Sequence, residues 1–456
     1  MKTPGRKLNT DYFDIVIIGA GLLGCFAARN VKSYDLSVAV FEKEEDVCLK
    51  MSKANTAVVY AGYDNRPGSL KAQLCVKGNR NFERLCEELD VPFSRCGSLM
   101  LAFGEDGDKV LKKKLRHGCE NNVPGLKILD AAGARELERE LGDGITSALY
   151  SPTTGTVNPW ELAVAAYENA LDNGAVFCFG EEVVSVENNT VKLRSGKTCK
   201  AKIIIDCSGL NAGRLAGSRY HLSTDGADYL VIDRKAAHKP HMVIFEQSET
   251  KCRGITAVPT VEGSLLLGPT HRQENVPGAT CAEGLEEIKK TAGKVLPGLE
   301  LDVIRTFAAT RPYIETDDAE DVHDFVIDRC GSVISLIGIK TPGLTCADEI
   351  GKYLASVCAG ELGASPNPLF HPERKAIIKA GKLSDEQRNK LICGNPDYGQ
   401  IVCLCEDITK AEIIEAVKRG ARTIEGVKHR CGTGMGHCQG TRCAQRISEI
   451  LEEYHA

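Results

Sequence analysis

The sequence predicts an α/β protein with a layer of alternating strands and helices, a separate antiparallel sheet and a small helical C-terminal domain. Three observations predict it. Near the start, an apolar β-branched run leads into Gly19-Ala20-Gly21-Leu22-Leu23-Gly24 and then into a helical stretch. Short apolar segments separated by turn residues recur through the middle of the chain. Five cysteines, Cys403, Cys405, Cys431, Cys438 and Cys443, crowd the end. Alternating strands and helices argue for an α/β layer, and successive strands for a sheet of their own.

Bulk properties narrow the class. A chain of 456 residues holds two or three domains at about 100–200 residues each. The hydrophobic fraction of 43% and charged fraction of 26% are ordinary for a soluble protein. A net charge of −5 and a single Trp give no basis for nucleic-acid binding. The N-terminus lacks the basic, apolar and cleavage regions of a signal peptide. No stretch approaches the roughly 18 apolar residues of a membrane span. A cytoplasmic protein is expected, with peripheral association at a membrane left open. The scattered members of the 20 cysteines read as small buried hydrophobes rather than a disulfide framework.

In chain order, residues 13–18 predict a first strand and Val38 to Phe41 a second, ending in Glu42. Helices are expected over 78–87 and 160–173, and strands over 97–103, 182–187 and 203–207, the last followed by Ser208-Gly209. Segments 242–246 and 264–268 suggest antiparallel strands, and 333–337 a buried strand. That strand runs into Gly338-Ile339-Lys340-Thr341-Pro342-Gly343 and a helix from about Cys346. Residues 363–399 are polar and proline-containing and read as a linker.

The glycine pattern has the context that gives it meaning. Gly19 makes the tight turn, Gly21 lets the backbone approach a pyrophosphate, and Gly24 lets helix and sheet pack closely. The helix N-terminus offers free N–H groups to the phosphates, and Glu42 can accept from the ribose hydroxyls. This is a Rossmann-type signature, and by itself it fits NAD as well as FAD. Its place at the N-terminus, with a second glycine-rich turn from Gly338 to Gly343, favours FAD.

The segments 52–79, 155–175, 204–216, 258–270 and 338–355 occur in an order that resembles the D-amino-acid-oxidase-type FAD oxidoreductases over about 10–362. That group includes anaerobic glycerol-3-phosphate dehydrogenases and L-2-hydroxyglutarate dehydrogenases. The resemblance implies FAD-binding parts at about 10–90, 150–215 and 315–362, with a substrate sheet at about 91–149 and 216–314. It places Ser52, Asn55 and Thr56 near the flavin. Val184, Ser208 and Gly209 fall on the adenine side, and Gly338, Pro342, Gly343, Leu344 and Thr345 against the flavin ring. Arg311 matches an arginine that relatives use to hold the substrate's acid group. Lys340 stands where relatives often carry an acid, and Tyr60 where many carry His. A phenol of ordinary pKa near 10 is a poor base at neutral pH. The ten histidines offer no clear replacement by sequence.

At the C-terminus, Thr409-Lys410-Ala411-Glu412 is a capping box and Gly420 a helix stop. Cys403, Cys405, Cys438 and Cys443 supply four thiolates, and the spacing alone suits zinc about as well as an iron–sulfur cluster. Residues 400–456 resemble the ferredoxin-like domain of bacterioferritin-associated type, which implies a [2Fe-2S] cluster on those four cysteines. Cys431 is then a spare thiol or an alternative ligand. The implied activity is oxidation of a small anionic alcohol, foremost glycerol 3-phosphate to dihydroxyacetone phosphate. Electrons would leave through the cluster to an acceptor protein or quinone-linked partner. L-2-hydroxyglutarate is the runner-up substrate. A non-catalytic electron-transfer subunit of an amino-acid or opine dehydrogenase complex is the alternative of a different class.

Overall fold

The computed structural model describes residues 11–247, 254–273, 278–315 and 324–455. Strand β1 (Tyr12–Ile18) lies between β2 (Val38–Glu42) and the strand Thr198–Asp206, parallel to both. β2 pairs in turn with Val176–Phe179, and Thr198–Asp206 with Val333–Ile337, again in parallel. Both faces of this sheet are covered, so Ile15, Val16 and Ile17 are all fully buried. That explains why β1 is an unbroken apolar run rather than an alternating one. Helix α1 (Leu22–Val31) packs on one face with the helices Pro159–Asp172 and Gly343–Leu362.

A second sheet of nine strands carries Ser98–Ala102, Ser147–Ser151 and Lys127–Asp130 together with the strands between His221 and Glu315. It is antiparallel except at one seam, where Val243–Glu246 runs parallel to Ser98–Ala102. The expected antiparallel sheet thus carries a single parallel pairing among the described residues. Chain from both sides of the dinucleotide layer meets at that seam, so no hairpin sets its direction. The longest pairing joins His221–Ile232 to Val303–Glu315 and sets Asp225 opposite Arg311.

Helix α2 spans Leu70–Leu89, more than the 78–87 expected. Its start is held from far away in sequence. The Asp324 carboxylate accepts from the N–H groups of Leu70 and Lys71, each at 2.8 Å, and Ser69 caps Ala72. The helix expected from Cys346 begins at Gly343. Residues 363–399 form an anchored strap that contains the helix Asp385–Gly394, started by a Ser384/Gln387 capping box. Within the strap, buried Arg374 binds Glu168 at 2.7 Å, and the carbonyl of His371 accepts from Asn169 at 2.9 Å.

The C-terminal domain packs the helices Lys410–Lys418, Ile424–Cys431 and Ala444–His455 around Ile413, Val427 and Ile447. A buried ion pair fixes it to the dinucleotide layer. Arg430 donates to both oxygens of Asp46, at 2.5 and 2.8 Å, and the two side chains are 0% and 2% exposed. Asp46 sits in the loop that follows β2. A Cβ on Gly426 would lie 2.6 Å from its carboxylate, so the approach needs glycine there. Beside the pair, Trp160 stacks on His429 with ring centroids 4.7 Å apart. Burial pushes that imidazole down to about 4, which keeps it neutral. Lys53 and Glu425 close the rim at 2.8 Å.

Removing one partner of a buried pair leaves a charge without solvent or counterion, at about 3–5 kcal/mol. Arg430→Met should cost about that much, read as an earlier denaturation midpoint, with most of it recovered in an Asp46→Asn, Arg430→Met double variant. Additive losses in the double variant would show that the pair does not act as a unit.

Candidate active site and thiol cluster

A cavity of about 1470 Å³ runs from the glycine turn to the substrate sheet. Single small-molecule pockets span about 300–1,000 Å³, so this one has room for a long ligand and a small one beside it. Gly19, Gly21, Glu42, Ser52 and Val184 line one end, with Ser208 and Gly209. Asn55, Thr56, Tyr60, Pro342, Gly343 and Leu344 line the middle, and Arg311 and Lys340 the far end. Three expected residues lie behind the wall. Gly24 supports the turn, since a Cβ there would fall 1.9 Å from the carbonyl oxygen of Gly19. Gly338 has φ +67° and backs onto Ile314. Thr345 is buried and accepts from the Tyr60 N–H at 2.9 Å, so it holds the segment that carries Tyr60 in place.

The turn is set for phosphate. Ser52 Oγ accepts from the Leu22 N–H at 3.0 Å, at the first residue of α1, and its own hydrogen remains to donate. A Cβ on Gly21 would stand 3.0 Å from that Oγ, filling the cradle. Glu42 is oriented by the N–H groups of Ala20 and Glu44, at 2.7 and 2.9 Å. Each carboxylate oxygen keeps a lone pair for a sugar hydroxyl.

At the far end, Arg311 is already engaged on one side. Its Nη2 donates to Asp225 at 2.7 Å and to the Thr270 carbonyl at 3.1 Å, and lies 3.0 Å from His271 Nδ1. The Tyr313 hydroxyl also donates to Asp225, at 3.3 Å. Lys340 Nζ lies 3.2 Å from the centre of the Tyr313 ring, which turns it inward. Burial alone would raise the Asp225 pKa. The His271 hydrogen bond and the Arg311 charge outweigh it and hold the carboxyl below its ordinary range. Tyr60 stacks on Phe245, and its hydroxyl lies 3.3 Å from that of Thr56.

In the C-terminal domain the expected thiols converge as two pairs. Cys405 and Cys438 are in hydrogen-bond reach of each other, as are Cys403 and Cys443. Cys403 and Cys443 are buried and the other two partly exposed. Cys431 is buried and its thiol meets the Val427 carbonyl at 3.2 Å, so it packs in the core. The described cysteines are all free thiols.

A family profile described as FAD dependent oxidoreductase matches residues 14–357. The chain belongs to that family. A second profile, for a BFD-like [2Fe-2S] binding domain, matches residues 401–453. The chain is 38% identical over 454 residues to a glycerol 3-phosphate dehydrogenase of Caloramator mitchellensis, covering 96% of this chain and 94% of that one. It is 29% identical over 287 residues to a mitochondrial L-2-hydroxyglutarate dehydrogenase of Nematostella vectensis, covering 57% and 62%. Its fold matches a dithionite-reduced, FAD-bound L-alpha-glycerophosphate oxidase of Mycoplasma pneumoniae at a TM-score of 0.73 and 22% identity, over 80% of this chain and 99% of that one.

The protein is thus an FAD-dependent oxidoreductase of glycerol-3-phosphate-dehydrogenase-like type with a [2Fe-2S] domain. The residues present fit both groups. The glycine cradle, Ser52 and Glu42 offer what the pyrophosphate and ribose of FAD require, and paired thiols are what two irons take. Among the described residues no helix is long and apolar enough to cross a membrane. Sequence reasoning missed Asp225, Tyr313 and His271. His271 follows Gly268-Pro269-Thr270 and carried no pattern of its own. Only the strand register brings it to Arg311.

Gly24→Ala should lose bound flavin, because its methyl group would collide with the Gly19 carbonyl and open the turn. The ratio of flavin to protein absorbance after purification measures this, and a variant with full flavin would refute the turn's role.

Proposed function

We propose that the protein oxidises glycerol 3-phosphate to dihydroxyacetone phosphate and delivers the electrons through its [2Fe-2S] centre to a partner acceptor. The observation that carries this is the near-full-length similarity to the Caloramator mitchellensis glycerol 3-phosphate dehydrogenase, which spans both redox domains. The 2-hydroxyglutarate relative matches over a smaller share of the chain. When bound, FAD supplies a two-electron acceptor and the cluster a one-electron outlet.

The chain's own residues take the following parts in this reading. Gly19, Gly21 and Ser52 hold the FAD pyrophosphate and Glu42 the ribose. Val184, Ser208 and Gly209 flank the adenine. Asn55, Thr56, Pro342, Gly343 and Leu344 position the ring, and Thr345 holds the wall behind it. Arg311 binds the phosphate through Nη1, since its Nη2 is committed to Asp225 and Thr270. Lys340, over the Tyr313 ring, adds a second positive charge. Tyr60 closes the cavity with Phe245 and leaves proton transfer to another group. Cys403, Cys405, Cys438 and Cys443 ligate the cluster.

Anaerobic addition of glycerol 3-phosphate to the purified protein should bleach the flavin and yield dihydroxyacetone phosphate. Bleaching by L-2-hydroxyglutarate with none by glycerol 3-phosphate would reassign the substrate. Arg311→Ala should lower kcat/KM by about 2–4 kcal/mol, chiefly through KM, with flavin content intact. Unchanged steady-state kinetics would remove Arg311 from the site. Cys438→Ser should abolish the cluster's absorbance and the paramagnetic signal of the reduced protein while substrate still bleaches the flavin. A variant that keeps two irons and two sulfides per chain would exclude Cys438 as a ligand.

A further inference from the structure

Oxidation of an alcohol removes two electrons with one hydrogen from carbon and a proton from oxygen. Tyr60 lines the cavity, but a phenol of ordinary pKa near 10 is a poor base at neutral pH. Geometry excludes the next candidates. His271 lines the cavity, but its Nε2 is buried without a partner and its Nδ1 faces Arg311 and Asp225. Lys340 lies over the Tyr313 ring, a contact that favours the cation over the free amine. Glu42 is at the glycine turn and Glu182 is paired with Arg194 at 2.6 Å. Asp64 is paired with Lys114.

Asp225 is different. It lines the cavity beside Arg311 and its side chain is 20% exposed. Among the described residues, every side-chain contact to its carboxylate falls on one oxygen. Arg311 Nη2 and the Tyr313 hydroxyl, both from the strand Val303–Glu315, donate to Oδ2, and His271 Nδ1 lies 3.5 Å from it. Among the described residues the other oxygen, Oδ1, accepts no hydrogen bond, and it stays accessible from the cavity. Arg311 has the same asymmetry, with Nη2 saturated and Nη1 open. An acceptor and a donor therefore sit side by side at the substrate end, held by cross-strand register. A ligand with an anionic group close to a hydroxyl matches them.

We propose that Asp225 is the catalytic base of this enzyme and accepts the substrate hydroxyl proton on Oδ1. This rests on the alcohol-oxidising reading above but not on which alcohol it is. The C–H bond breaks with its electron pair, which passes as hydride to bound FAD. The O–H bond breaks with its proton going to Oδ1, and the oxygen's freed pair forms the carbonyl. Oδ2 remains bound to Arg311, which keeps the carboxylate ionised before each turnover. The substrate hydroxyl becomes strongly acidic as hydride leaves, so a carboxylate suffices where a ground-state alcohol would demand a stronger base.

The test is Asp225→Asn in the full-length holoenzyme, assayed with whichever of glycerol 3-phosphate and L-2-hydroxyglutarate bleaches the wild-type flavin faster. Anaerobic stopped-flow bleaching should slow at least a hundredfold. Flavin content, and the affinity for the ketone product read from the perturbed flavin spectrum, should stay within about threefold of wild type. Asp225→Glu should recover part of the bleaching rate, since it restores a carboxylate. A rate for Asp225→Asn within threefold of wild type would overturn the proposal. So would a loss of product binding in Asp225→Asn as large as the loss in rate, with no recovery in Asp225→Glu, because Asp225 would then only hold Arg311. If neither alcohol bleaches the wild type, the alcohol-oxidising reading and this assignment fall together.

Discussion

Arg430 carries its charge into a place that water does not reach, and the union of the two redox domains depends on what it meets there. Taking a guanidinium and a carboxylate out of water costs several kcal/mol per ion, and only close, directional contact offsets it. Both oxygens of Asp46 are bound, and Gly426 gives the carboxylate space that any side chain would occupy. The pair therefore tolerates one geometry. Asp46 belongs to the loop between Glu42 and Cys48, whose N–H binds the Ala20 carbonyl in the glycine turn at 3.0 Å. The contact that docks the cluster domain thus braces the flavin turn as well. A cluster domain on a free tether would sample many positions, whereas this one is fixed against the dinucleotide layer.

That arrangement changes the meaning of the segment between the domains. A polar, proline-containing stretch reads as a spacer because composition reports only its solvation. Arg374, buried against Glu168, and the bonds from Asn169 and Asn173 to the His371 carbonyl make it a strap along the dinucleotide layer. Arg419 of the cluster domain reaches the same Glu168 at 3.1 Å. Strap and domain share an anchor, so a swinging-carrier picture finds no slack in the chain.

Legibility in the sequence follows the range of the interaction concerned. The dinucleotide turn was readable because its requirements are local. Gly24 must lack a Cβ because of Gly19, a few residues away, and Glu42 must end the next strand. The thiols were readable because ligand identity is chemical and their spacing is short. The four cysteines converge as two pairs, but sequence spacing alone left zinc open. The start of α2 was not readable, since its cap is Asp324. Nor was the parallel seam between Val243–Glu246 and Ser98–Ala102, because no turn connects those strands.

The substrate end is the extreme case. Asp225 and Arg311 come from two paired strands and His271 from the turn between two others, and nothing in the neighbourhood of any one predicts the other two. Arg311 stood out only through resemblance, which supplied its role without its partner. A cross-strand pair of opposite charges normally serves stability, at a few tenths to one kcal/mol. Here each member spends one polar atom on the other and turns the second toward the cavity. The shared contact orients both, so a strand pairing that would otherwise be only structural presents a fixed donor and a fixed acceptor to whatever lies between them. In the reading proposed above, the polar atoms that face the substrate come from the sheet roof rather than from the flavin-side loop, so Tyr60 is left a packing role.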